Sequence, residues 1–151
     1  MDIDTSCYSD SFIEKILAET QTIAVVGASS KPERDSYKVI ESLLEHGYRV
    51  FPVNPNEEGS SVLGLNFYPN LSSIQQPIDM VDVFRTSDAV FEIAEEAIKI
   101  KAKVLWMQLE IINNDAANLA EAAGMKVVMN RCPKKEFKLS LIHISEPTSP
   151  Y

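Results

Sequence analysis

TIAVVGASSKPERDSYKVIESLLEHGYRVFPVNPN, residues 22–56, decides the fold. TIAVV is a short, continuous apolar run rich in β-branched residues, which is how a strand buried on both faces reads. It stops at Gly27, and a polar loop, ASSKPERD, follows. Val39, Ile40, Leu43 and Leu44 then recur at helical spacing behind Ser36, which reads as an N-cap, and Gly47 reads as the glycine just past the helix end. RVFPV (49–53) is a second strand, with Pro52 late in it and NPN directly after. Strand, helix and strand in about thirty residues make a parallel crossover unit.

The same alternation continues outward. Upstream, residues 10–20 read as a helix, with Ser11 and Glu14 as a capping box and Phe12, Ile13, Ile16 and Leu17 as its apolar stripe. Downstream, residues 55–77 are turn-rich, with room for one short strand. DMVDVF (79–84) is a strand, Ser87 caps a helix through about Lys101, and KVLWMQ (103–108) is a strand whose Trp106 reads as core. Asn113 or Asn114 opens a helix packed through Ala116, Ala117, Ala120 and Ala123, and KVVMN (126–130) is the last strand. The expected fold is α/β: a doubly wound, mostly parallel sheet of about five strands in a Rossmann-like three-layer α/β/α arrangement. Residues 1–138 read as a single domain. Residues 139–151, LSLIHISEPTSPY, have no clear period and look like a translated sequencing adapter; they read as foreign sequence or as a loose extension, and carry no functional expectation.

Composition narrows the function. The 151 residues are 45% hydrophobic and 24% charged, ordinary for a globular domain. No apolar run approaches the ~18 residues of a membrane span, and MDIDTSCYSD lacks the basic and apolar regions of a secretory signal, so the expected location is cytoplasmic with no membrane partner. Fourteen basic against 22 acidic side chains give a net charge of −8, which argues against nucleic acid. Basic islands remain at 28–38 and 131–138, suited to a small anion. Cys7 and Cys132 lie near opposite ends of the chain and form neither a disulfide framework nor a zinc site, and no metal is expected.

In an open α/β sheet, ligands bind beyond the carboxyl ends of the strands at the switch point. The loop after the first strand is therefore the leading candidate. Its backbone N–H groups and the following helix N-terminus suit an anion, Gly27 permits a tight turn, Ser29, Ser30 and Ser36 bring hydroxyls, and Lys31 and Arg34 bring charge. The alternative is a solvated loop with a capping serine. The dinucleotide fingerprint G-x-G-x-x-G is absent, the position expected to hold an acidic ribose reader is Asn54, and Walker A is absent.

VVGASSKPERDSYKV, GYRVFPVNP, DMVDVFR, KVLWMQL and VVMNRCPKKEF together resemble the small stand-alone CoA-binding proteins, which are similar to the CoA-binding domain of the succinyl-CoA synthetase α subunit. The resemblance spans roughly 11–138. It implies that Gly27, Ala28, Ser29, Lys31, Arg34 and Ser36 hold the phosphates and nearby ribose of coenzyme A. It implies that Asn54, Pro55, Phe84 and Arg85 line the nucleotide pocket, with Gln108 and Arg131 as further contacts. The sequence departs from the pattern at Glu110, where a glycine is usual, and at Asn130, where an acid is usual. Such a ligand needs donors and cations, and an arginine fork suits a phosphate. Phe84 is either a contact for adenine or part of the core.

Catalysis has thin support. His46 falls at the wrong end of the sheet, and no nucleophile triad or carboxylate pair stands out. Cys132, beside Arg131, Lys134 and Lys135, is either a thiol of lowered pKa or an inert cysteine before a proline turn. Three functions follow. The first is a non-catalytic module, sensor or accessory, that binds CoA or acyl-CoA. The alternatives are a nicotinamide-nucleotide oxidoreductase, and a thiol-redox protein exchanging Cys132 with the CoA thiol. An unpaired edge strand leaves a homodimer open.

Overall fold

Five of the apolar runs join in one parallel sheet. The computed structural model describes residues 10–108 and 110–129. Its elements are α1 (Asp10–Glu19), β1 (Thr22–Val26), α2 (Asp35–Glu45), β2 (Arg49–Val53), β3 (Ser61–Val62), β4 (Leu65–Asn66), β5 (Met80–Val83), α3 (Val90–Lys99), β6 (Val104–Met107), α4 (Asn114–Ala122) and β7 (Lys126–Val128). The strand order is β2-β1-β5-β6-β7, every pairing parallel. The order reverses between β1 and β5, so the switch point lies where β1 and β5 end.

Side chains alternate across the sheet and build two apolar layers. Ile23, Val25, Met80, Val104 and Trp106 face α1 and α2, packing with Ile16, Leu17, Ile40 and Leu43. Ala24, Val26, Val81, Val83, Leu105 and Met107 face α3 and α4. This is the three-layer α/β/α expectation. Trp106 is fully buried, as its place inside a strand suggests. Each such large side chain contributes roughly 1.5–3 kcal/mol on leaving water. In α4, Ala116, Ala117 and Ala120 are buried, whereas Ala123 is exposed: it shares their face by spacing but is the C-cap, past the last residue of the helix. Pro52 fits because β2 is an edge strand, where a missing N–H leaves no ladder bond unmade.

Several local expectations shift. The turn-rich stretch contains a two-stranded hairpin, β3 and β4, rather than one strand. Ser11 lies inside α1, not before it. Arg34 is the N-cap of α2, with Ser36 in the first turn. Ser87 opens a 3-10 turn, Ser87–Ala89, that leads into α3. There it accepts the Ile112 N–H on Oγ at 3.1 Å and the Asn113 amide on its carbonyl at 2.8 Å, fastening the start of α3 to the start of α4. Between the two asparagines, Asn113 is the N-cap of α4 and accepts the Ala116 N–H at 2.9 Å.

Candidate functional site

The crevice at the switch point begins with a close approach. Gly27 has φ +86°, and a Cβ there would lie 2.8 Å from the Phe84 carbonyl oxygen. Its N–H donates to the Val53 carbonyl at 2.9 Å, and the Phe84 N–H donates to the Val26 carbonyl at 2.8 Å. Only a residue without a side chain lets the ends of β1, β2 and β5 converge here.

The loop that follows is internally braced. The Ser29 N–H donates to Ser36 Oγ at 3.1 Å, the Lys31 N–H to Ser29 Oγ at 3.1 Å, and the Ser30 N–H to Glu57 Oε2 at 2.8 Å. The sequence suggests free amides awaiting an anion; three of them instead bond within the protein. Ser36 is buried and holds the loop, which is why it does not stand at the N-cap. Asn54 closes the other wall. Its amide donates to the Ala28 carbonyl at 2.9 Å, its side-chain oxygen accepts the Asn56 N–H at 2.9 Å, and its own N–H reaches the Tyr68 carbonyl at 2.9 Å.

These segments enclose a cleft of about 560 Å³ lined by Gly27, Ser29, Lys31, Arg34, Ser36, Asn54 and Phe84, together with Asp35, Asn56 and Glu57. Lys31 and Arg34 are exposed and bring the positive charge; Asp35 and Glu57 bring the negative. Half-buried Phe84 packs against the α1/α2 layer and also lines the cleft, so its two readings are compatible.

The other candidate residues are placed differently. Ala28 is buried and contributes only its carbonyl. Pro55 and Arg85 line a smaller hollow of about 180 Å³ on the α3 side, with Glu92 and Glu96. Burial raises the Glu96 carboxyl, against a smaller pull from Lys99. Two glutamates make this hollow the poorer place for phosphate. Gln108 is 4% exposed and lines neither space; its side-chain amide donates to Asp82 Oδ1. Arg131 and Cys132 lie outside the described residues.

Two residues of the site region escape sequence reading. Glu57 sits three positions beyond Asn54, and the 3-10 turn Pro55–Glu57 returns it to the loop. Asp82 is fully buried on the α1/α2 face of β5, and its Oδ2 has no hydrogen-bond partner. Burial pushes its carboxyl up to about 7, against the lowering effect of Gln108. The signals were an acid just past β2 and a charged residue inside an apolar strand. Glu110, in place of the usual glycine, has φ +70°, the left-handed region that favours glycine. Among the described residues, no helix is long and apolar enough to cross a membrane, and no group of three or more His, Cys, Asp or Glu is placed to hold a metal ion.

A parallel sheet of order β2-β1-β5-β6-β7, with its cleft over the switch point, defines a Rossmann-like α/β domain. The chain belongs to the CoA binding domain family, whose model matches residues 21–138. It is 37% identical over 122 residues to the uncharacterised Bacillus subtilis protein YneT, covering 81% of this chain and 89% of that one. It is 30% identical over 115 residues to the α subunit of an ADP-forming acetate–CoA ligase I of Pyrococcus furiosus; the match takes in 74% of this chain but only 24% of the subunit. Among solved structures, a hypothetical protein from Pyrococcus horikoshii OT3 superposes with a TM-score of 0.86 at 42% identity, covering 93% of this chain and 98% of that one. The chain thus corresponds to a small protein or to about a quarter of the ligase subunit.

Proposed function

We propose that this protein binds coenzyme A or an acyl-CoA, acting as a binding, sensor or accessory module with no chemistry of its own. The observation that carries the reading is the CoA binding domain match across residues 21–138. The cleft supports it: Lys31 and Arg34 stand beside a glycine turn at the switch point, where phosphates bind in doubly wound folds. In this reading the two cations take the phosphates and Phe84 meets the base. Pro55 and Arg85 border the ligand from the α3 side. Gln108 acts through its bond to Asp82 rather than by contact. The ligase reaction of the longer relatives is not carried over.

The functional unit in this reading is residues 1–138, in the cytoplasm, without a nucleic-acid partner and able to pair with a second copy through a sheet edge. Ending the chain at Lys138 leaves melting and ligand binding unchanged if that boundary is right. A thermal-shift panel with CoA, acetyl-CoA, dephospho-CoA, NAD and NADP tests the function. A ligand at 100 times its Kd adds about 2.7 kcal/mol. Stabilisation by CoA and not by NAD is expected. Stabilisation by NAD alone refutes the reading in favour of a nicotinamide-dependent enzyme.

A further inference from the structure

Glu57 is a carboxylate already sitting in a site built for anions. Its Oε2 accepts the Ser30 N–H at 2.8 Å, taking a donor of the very loop that the CoA reading gives to phosphate. Hydrogen bonding from Ser30 holds the Glu57 carboxyl below the ordinary glutamate range, and Lys31 adds a smaller pull in the same direction. The carboxylate belongs to the short turn Pro55–Glu57, whose other anchor is Asn54. Both segments are therefore held by the protein's own bonds. With Lys31 and Arg34 against Asp35 and Glu57, the titratable side chains lining the cleft carry no net formal charge. A polyanion entering it meets a competitor for the Ser30 amide and a like charge beside the same lysine.

We propose that Glu57 is a resident anion of the cleft and determines its selectivity: a ligand phosphate binds by displacing the Glu57 carboxylate from Ser30 N–H. This rests on the CoA reading of the same cleft. It makes Glu57 a brake on affinity, in contrast to Lys31 and Arg34. It also couples the Pro55–Glu57 turn to occupancy, because the turn loses its hold on the loop when phosphate arrives.

The test compares wild type, Glu57→Gln and Glu58→Gln. The glutamine keeps an acceptor for Ser30 while removing the charge. Glu58, its exposed neighbour, does not line the cleft, so its substitution controls for charge alone. Titration calorimetry with CoA, and separately with inorganic pyrophosphate, gives affinities; the Ser30 amide resonance reports on the loop. Glu57→Gln is expected to bind CoA about fivefold more tightly, the upper range for an exposed like-charge contact. Glu58→Gln stays within about twofold, and both melt close to wild type. Unchanged or weaker CoA binding in Glu57→Gln overturns the proposal, as does an equal gain in Glu58→Gln. If CoA binds none of the three proteins, the CoA reading itself fails, and pyrophosphate decides the proposal. Tighter pyrophosphate binding by Glu57→Gln, with the Ser30 amide shifting, upholds displacement of a resident anion. No pyrophosphate response in any of the proteins overturns it.

Discussion

Asp82→Asn isolates the fully buried carboxyl of the sheet. Asp82 has no solvent exposure, accepts from Gln108 on Oδ1, and leaves Oδ2 unpartnered. Burial lifts its carboxyl from 3.8 to about 7. That rise corresponds to about 4 kcal/mol of preference for the protonated form in the folded protein. Between pH 4 and 7 the folded state therefore holds a proton that the unfolded chain has released. Stability contributed at this site falls as pH rises through that window and levels off above it. The asparagine side chain cannot ionise and removes the dependence. Urea denaturation of both proteins at pH 5, 6, 7 and 8 measures it, since other groups cancel in the difference. The variant should gain on wild type by roughly 2–3 kcal/mol between pH 5 and pH 8. Its offset at pH 5 is irrelevant; the slope carries the argument. A difference that stays flat across the range refutes the reasoning and means the carboxyl is solvated in the folded protein.

Gly27→Ala should destabilise by at least about 2 kcal/mol in calorimetric melting, because its Cβ would lie 2.8 Å from the Phe84 oxygen at a φ of +86°. Lys31→Ala and Arg34→Ala should each weaken CoA about tenfold in titration calorimetry while shifting stability by no more than ~0.5 kcal/mol. Lys99→Ala, on exposed helix surface and lining neither hollow, removes equal charge far from Lys31 and Arg34 along the chain and should do neither; equal weakening there would mean the cleft is misassigned. Asn113→Ala should cost about 1 kcal/mol or more in denaturant unfolding, because it removes the α4 cap and the amide bond to the Ser87 carbonyl; Asn113→Asp keeps the cap acceptor but sets a carboxylate oxygen against that carbonyl, and should recover only part of the loss.

The strands were legible because a sheet covered on both faces demands unbroken apolar runs such as TIAVV and KVLWM, and their lengths fit strands rather than helices. Helix faces followed from spacing, down to the buried alanines of α4. The hairpin of β3 and β4 was not legible: two residues per strand are too few to show a period, and its turn at Leu63 and Gly64 depends on positive φ at both. In the candidate site, Gly27 and its cations could be read because position after a first strand is a topological property. Ser36 and Gln108 could not, since one hydroxyl turning back to Ser29 and one amide turning inward to Asp82 depend on how distant segments meet. Glu57 fails for the same reason. Its meaning arises only when the turn after β2 folds over the loop after β1.

The bracing of that loop bears on how it moves. Loops over a ligand cleft commonly exchange their amide hydrogens fast, each on its own. Here the amides of Ser29, Ser30 and Lys31 are bonded to Ser36, Glu57 and Ser29, while Asn54 ties Ala28 to the Pro55–Glu57 turn. These bonds share partners, since Ser29 donates to Ser36 and accepts from Lys31, while Asn54 touches both segments. The consequence is a pattern for hydrogen exchange: the amides of Ser29, Ser30 and Lys31 are expected to show similar protection, and loss of the Ser30–Glu57 bond on ligand binding should alter all three together.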